Sequence, residues 1–299
     1  MSREAGGERG ARTLRRALAG GCLLMILCSI AGGAELAVLA GPAMGTTYRV
    51  TLAAEIPGLE RSAVHREVEA LLAEIDRAAS TWRRDSDISR VNTAVPGEWI
   101  PVADHLVKIL EIARAVHDRS RGAFDVTATD VTGRPVGMRH VETRREPPAV
   151  RLLVAGVAID LGGIGPGYAV DALGARLTAF GSTGHLVSLG GEIRAWGTAA
   201  PGEPWRVRIA AASTPAAPVP PRIVDLSSGQ ALGTSTVRPG RSPIDPRTGD
   251  PIAGPVRSLT ALAPTCAEAD AWAVAALVLG LEPSAEGFFI APQSVKGPP

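Results

Sequence analysis

Asp160-Leu-Gly-Gly-Ile-Gly-Pro-Gly-Tyr-Ala-Val-Asp171 is a glycine-rich turn that opens a helix, and the fold can be read outward from it. Pro166 suits the first helical turn, where it has no N–H to lose and its fixed φ is already helical. Val170, Leu173 and Leu177 then recur at helical spacing, and Gly181 supplies a stop. Upstream, residues 150–159 read as an extended run leading into the turn. Downstream, strand-like runs follow one another at His185–Leu189, Trp205–Ile209, Ile223–Leu226 and Arg257–Ala263. That much consecutive β is too much for a doubly wound sheet and gives an α+β class.

Before the turn, Thr46–Leu52 alternates and is rich in β-branched residues, so it reads as a strand. Val64, Val68, Leu71, Leu72 and Ile75 then recur with helical period, predicting an amphipathic helix over about 60–79. A second follows Asp104, read as its N-cap, with Leu106, Ile109, Leu110, Ala113 and Val116 on one side. The Pro/Ala-rich stretch Ala210–Pro221 cannot pair as a central strand and reads as a surface excursion. With no internal repeat, the simplest organisation is one domain over 40–292 and a fraying tail over 293–299.

The chain has 299 residues, 45% hydrophobic and 20% charged, which is ordinary for a globular enzyme. A formal net charge of +1 offers no concentrated basic surface, so nucleic acid is set aside as a partner. Arg9, Arg12, Arg15 and Arg16 lead into the apolar run Ala17–Ile30, with small residues at Ala31–Ala34. That layout predicts an export signal over 1–34, and the run is shorter than the ~20 residues of a spanning helix. The expectation is an exported, periplasmic protein, or one held by its N-terminus on the outer side of the inner membrane. Lipid attachment at Cys22 or Cys28 fits less well, because bulky Ile26 and Leu27 precede Cys28 and little apolar sequence precedes Cys22. Removal of the signal leaves Cys266 as the single cysteine, which excludes an internal disulfide. With no histidine near it in sequence, Cys266 reads as a packed small residue rather than a nucleophile.

The glycine turn is neither a dinucleotide fingerprint, whose last glycine is missing, nor a P-loop, which needs Gly-Lys-Ser/Thr. Two readings stay open: bare backbone that a ligand or metal can approach, or a tight strand-to-helix turn packed on a neighbour. A second helix start is clearer. Thr265 and Glu268 form a Thr-x-x-Glu capping box after Pro264, predicting a helix to Leu279 with Gly280 as its stop. Asp270 lies early on that helix beside Ala269, Trp272 and Ala273, with Val274 four residues on, on the same face. Its carboxylate is either a metal ligand or a charge satisfying the helix dipole. With the loop Ile244-Asp-Pro-Arg-Thr-Gly249, these stretches offer bare backbone, unpaired N–H groups at a helix start and a carboxylate able to hold a hard cation. A nucleotide pyrophosphate with a hard cation needs those groups.

The ordered segments Met44-Gly-Thr46, Ser80-Thr-Trp-Arg-Arg-Asp-Ser-Asp-Ile-Ser-Arg-Val-Asn92 and Gly122-Ala-Phe-Asp-Val-Thr127 carry a resemblance. It continues through Asp160–Asp171, Leu189-Gly-Gly-Glu-Ile193, Asp245-Pro-Arg-Thr-Gly249 and Ala269-Asp270. In this order they resemble the motifs of the ApbE family, the FAD:protein FMN transferases, over nearly the whole chain after the N-terminal signal. The resemblance implies a T-fold-like α+β domain of antiparallel sheets flanked by helices. It implies FAD as donor, Mg²⁺ on its pyrophosphate, transfer of FMN to a threonine hydroxyl of an exported flavoprotein, and release of AMP. Carried over by position, Met44, Trp82, Ala123, Phe124, Asp125, Asp160, Pro166 and Ile244 would line FAD. Gly163, through its carbonyl, and Asp270 would face the metal, with Ala273 and Val274 at the remaining metal positions; Asp270 and Ser242 take the catalytic positions. Three residues depart from the family pattern. Pro166 replaces a position usually lysine, Ser242 stands where a histidine would accept the threonine proton, and Val274 replaces a hydroxyl that helps bind the metal. These departures leave a rival reading, a weakened relative that binds FAD as a carrier or partner module.

Overall fold

A computed structural model describes residues 36–129, 133–209, 222–237, 242–252, 257–282, 284 and 288–292. The expected export signal, the stretch 210–221 and the tail 293–299 lie outside the described residues. Strands β1 (Ala37–Ala43) and β2 (Thr46–Leu52) form a hairpin and are followed by helices α1 (Arg61–Ala79) and α2 (Asp87–Thr93). Next come β3 (Ile100–Pro101), α3 (Asp104–Arg119), β4 (Val141–Arg145), β5 (Pro148–Leu152) and α4 (Gly165–Ala179). Strands β6 (His185–Leu189), β7 (Glu192–Trp196), β8 (Trp205–Ile209), β9 (Arg222–Leu226), β10 (Ala231–Val237) and β11 (Arg257–Ala263) precede α5 (Cys266–Val278) and β12 (Phe289–Ile290). The α+β class is as the sequence predicts.

The main sheet has the order β1-β2-β6-β7-β10-β11-β12, antiparallel throughout except for the β11–β12 pair. Every residue of β6 is buried because both faces of this sheet are covered. On one face lie the helices. On the other, the β8–β9 hairpin packs Trp205, Val207 and Leu226 against Leu186, Ile193 and Leu232. The two-residue period of β7 therefore sorts its side chains: Ile193 and Ala195 enter that second cluster, while Arg194 and Trp196 reach α4. Glu192, at the start of β7, shares the helix side.

Helices α4 and α5 pack side by side, α4 over β6 and β7 and α5 over β10 and β11. Their approach is so close that a Cβ on Gly167 would sit 2.4 Å from the Cys266 carbonyl oxygen. A Cβ on Gly233 of β10 would sit 2.3 Å from the backbone nitrogen of Asp270. Glycine at these two positions lets the turn of α4, the start of α5 and β10 converge on one point.

Three local expectations are corrected. Asp104 is the first helical residue of α3, not its N-cap; Ala103 takes that place and Asp104 pairs with Lys108 at 2.6 Å. The extended run expected over 150–159 starts earlier and ends at Leu152, because the chain turns at Gly156 with φ +85°. The capping box is half made. Thr265 Oγ1 accepts the Glu268 N–H at 3.3 Å, but the Glu268 carboxylate is drawn to Arg119 and to the Thr265 hydroxyl.

Candidate functional site

The convergence of α4, α5 and β10 leaves a cleft of about 820 Å³. Its walls include Ala123, Phe124, Asp125, Asp160, Gly163, Ser242, Ile244, Asp270 and Val274, which separate stretches of sequence bring together. Glu192 and Thr234–Thr236 complete the sheet side. Other expected residues fall outside this lining. Met44 sits in the β1–β2 turn at φ +48°, its methyl 3.9 Å from where a Cβ on Gly165 would be. Pro166 is half-buried in the first turn of α4, Ala273 is fully buried in α5, and Trp82 is 91% exposed between α1 and α2.

The glycine turn is built from within. Asp160 Oδ1 accepts the Gly162 N–H at 2.7 Å, and the Leu161 carbonyl accepts those of Ile164 and Gly165 at 3.1 and 2.7 Å. Gly167 donates its N–H to Asp270 Oδ2 at 3.2 Å. The start of α5 is likewise occupied: the Asp171 carboxylate accepts the N–H groups of Cys266 and Ala267 at 2.9 Å each, and Arg194 donates to it at 2.6 Å. The expectation that helix starts would present unpaired N–H groups to a ligand is therefore corrected at these positions, since the protein's own carboxylates, hydroxyls and carbonyls take them. What faces the cleft is acidic: Asp270, only 4% exposed, and Glu192, 7% exposed.

Burial disfavours the charged form of both acids. It pushes Asp270 well above the usual carboxylate range, the Glu192 charge pushes it further, and the Gly167 N–H pulls it back. Glu192 is pushed up to about 7 by burial, against the N–H groups of Gly191, its own residue and Thr234. Glu192 is the site residue that sequence reasoning missed. Its signal was present in Leu189-Gly-Gly-Glu-Ile193, but the burial of an acid at a strand start becomes visible only once the helix layer that covers it is known.

Around these two acids the remaining walls are held by dedicated contacts. Asp125 spends its carboxylate on the backbone N–H groups of Thr127 and Met138 at 2.8 and 3.1 Å and on the Thr127 hydroxyl at 2.6 Å. It therefore shapes the Phe124 segment. In the loop 242–251, the Arg247 guanidinium, and then its backbone N–H, donate to Asp245 and keep its carboxyl below the usual range. Arg247 also reaches the Val278 carbonyl at 3.3 Å, tying this loop to the end of α5. Val274 packs a methyl against the turn, 2.9 Å from where a Cβ on Gly163 would be. Cys266 is fully buried, with its thiol 3.7 Å from the Leu232 carbonyl and pushed well up by burial. It is the packed residue expected, not a nucleophile.

The fold matches solved flavin transferases. A mutant of the flavin transferase ApbE from Vibrio cholerae superposes with a TM-score of 0.72 at 29% identity, over 83% of this chain and 88% of that one. The apo flavinyl transferase ApbE of Pseudomonas stutzeri gives 0.71 at 29% identity, over 82% and 84%. The profile of the ApbE family matches residues 44–288, and the chain belongs to that family. Among its relatives, the FAD:protein FMN transferase of Klebsiella pneumoniae strain 342 is 30% identical over 307 residues, covering 90% of this chain and 87% of that protein.

Proposed function

We propose that this chain is an exported, Mg²⁺-dependent FAD:protein FMN transferase that moves FMN from FAD to a threonine hydroxyl of an exported flavoprotein and releases AMP. The observation that carries this reading is the Gly167–Asp270 contact, which joins the glycine turn and a buried carboxylate in one cleft wall. A cleft of about 820 Å³ is in the range of ligand pockets, roughly 300–1,000 Å³. Because the described helix-start donors are taken, a pyrophosphate here calls for a cation between it and the acids. The lining suits a hard cation: it holds the Asp270 carboxylate and Gly163, whose carbonyl the resemblance assigns to the metal, and among its described residues there is no cysteine, methionine or histidine. Bound there, Mg²⁺ would neutralise charge on the phosphates.

In the transfer itself, the acceptor oxygen forms a bond to the phosphorus on the FMN side as that phosphorus loses its bond to the AMP oxygen. The hydroxyl proton must leave. Ser242 lines the cleft, at the position where the resemblance expects a proton acceptor, and a serine hydroxyl is a weak base at neutral pH, so the proposal predicts that this step is slow. The Val274 methyl against Gly163 favours one rival, an FAD-binding module with little turnover. Association with the outer face of the inner membrane through the N-terminal apolar run belongs to the same proposal. Among the described residues no helix is long and apolar enough to cross a membrane.

Incubating the protein with FAD, Mg²⁺ and an exported flavoprotein domain that carries an acceptor threonine tests the reading by intact mass. Addition of one FMN to the acceptor, with AMP released, supports it. Bound flavin with no added mass supports the carrier reading instead.

A further inference from the structure

We infer that Glu192 is a second carboxylate of the cation site, sharing the metal charge with Asp270 where Val274 has no oxygen to give. This rests on the transferase reading, which supplies the cation, and adds a residue to it. The two acids come from different elements, β7 and α5, and both are more than nine-tenths buried in one cleft. Backbone geometry brings them together. The Glu192 carboxylate accepts the N–H of Gly191 at 2.9 Å and that of Thr234, while Gly233, the residue before Thr234, packs directly on the Asp270 backbone.

β7 ends its pairing with β10 at Ile193 opposite Leu232, so Glu192 closes the sheet at the point where the cleft opens. Asp270 receives one hydrogen bond among the described residues, from Gly167, which leaves its other oxygen without a donor. Two acids this deep repel one another, and no described cation faces them: Arg194, the nearest guanidinium on β7, is committed to Asp171. A buried carboxylate pair is stable as two anions only with a positive charge between or beside them. A divalent cation held by hard oxygens meets that need, and Val274 leaves a coordination position that the Glu192 carboxylate can fill.

The test is a titration of Mn²⁺ into the FAD-loaded protein, read by loss of the free-ion electron paramagnetic resonance signal. Glu192→Gln keeps the size and the acceptor oxygen but removes the charge, and is expected to weaken Mn²⁺ binding by about 10–100-fold. Unchanged affinity in that variant, or no Mn²⁺ uptake by the wild type, overturns the inference. Should Glu192→Gln not fold, Glu192→Asp is read in the same way, since it keeps the charge but draws it back by one methylene. Weakened binding supports the inference and unchanged binding overturns it. Transfer is scored separately. Mn²⁺ uptake that depends on Glu192 without FMN transfer leaves this inference standing and sinks the transferase reading, and transfer with unchanged uptake does the reverse.

Discussion

The Asp171 carboxylate accepts the Cys266 N–H at 2.9 Å, so the residue that ends the glycine motif of α4 caps the helix that carries Asp270. Orientation of the site is thus set one turn away from the cleft. Asp171 is nearly buried, burial raises its carboxyl, and Arg194 with the N–H groups of Ala267 and Cys266 holds it back toward the charged form.

Removing that carboxylate strands the Arg194 charge and two helix-start donors together. Asp171→Ala is expected to cost about 3–5 kcal/mol, the usual effect of breaking a buried ion pair. Urea unfolding monitored by circular dichroism reads it directly, and an unchanged midpoint would contradict the capping role.

Gly163 and Val274 meet across the floor of the cleft. A Cβ at Gly163 would lie 2.9 Å from Val274 Cγ2 and 3.6 Å from Phe124 Cε2, so Gly163→Ala overpacks this point and should cost about 1–3 kcal/mol. Val274→Ala in the same chain makes room and should return most of it. A double-mutant cycle with additive effects would show that the two do not press on one another.

The acids of the cleft give a pH dependence of defined sign. Glu192 titrates at about 7 in the folded protein against roughly 4.3 unfolded, so between those values the native state holds the extra proton. Metal-free stability from this group is therefore highest at low pH, falls as pH rises through that window and is level above it. Glu192→Gln should match the wild type near pH 4 and exceed it at pH 8 by on the order of 3 kcal/mol. Thermal melts of both proteins across this range check it, and parallel curves would contradict the burial argument.

In the proposed transfer, Ser242 and Val274 are the two positions expected to limit the rate. Ser242→His with Val274→Thr is expected to raise FMN transfer by roughly 10²–10⁴, the ordinary worth of a general base. A time course of flavin mass on the acceptor measures it, and equal rates in both proteins would mean that neither position limits the reaction.

The sequence was most legible where the signal was local. The apolar period of α1, the turn before α4 with Gly181 after it, and the Thr265 cap of α5 each marked an element within a residue or two. β1, with the sequence AVLAGPA, and β10, with ALGTSTV, have small residues in place of an alternating pattern and become strands through their partners β2 and β11. The site divides in the same way. Asp270 was visible because its helix start was visible. Glu192 was not assigned a role, because its burial depends on helices that precede and follow it far along the chain. Trp82 could be placed only by the resemblance, and the structure leaves it in solvent.

The central claim is a cation-bridged pyrophosphate between the glycine turn and α5, and crystals grown with FAD and Mn²⁺ test it most directly. The account predicts an anomalous Mn²⁺ peak beside the Asp270 carboxylate and the Gly163 carbonyl, with the FAD pyrophosphate against it and Glu192 on its sheet side. A Mn²⁺ peak elsewhere, or FAD bound away from the cleft lined by Phe124 and Asp270, would contradict it.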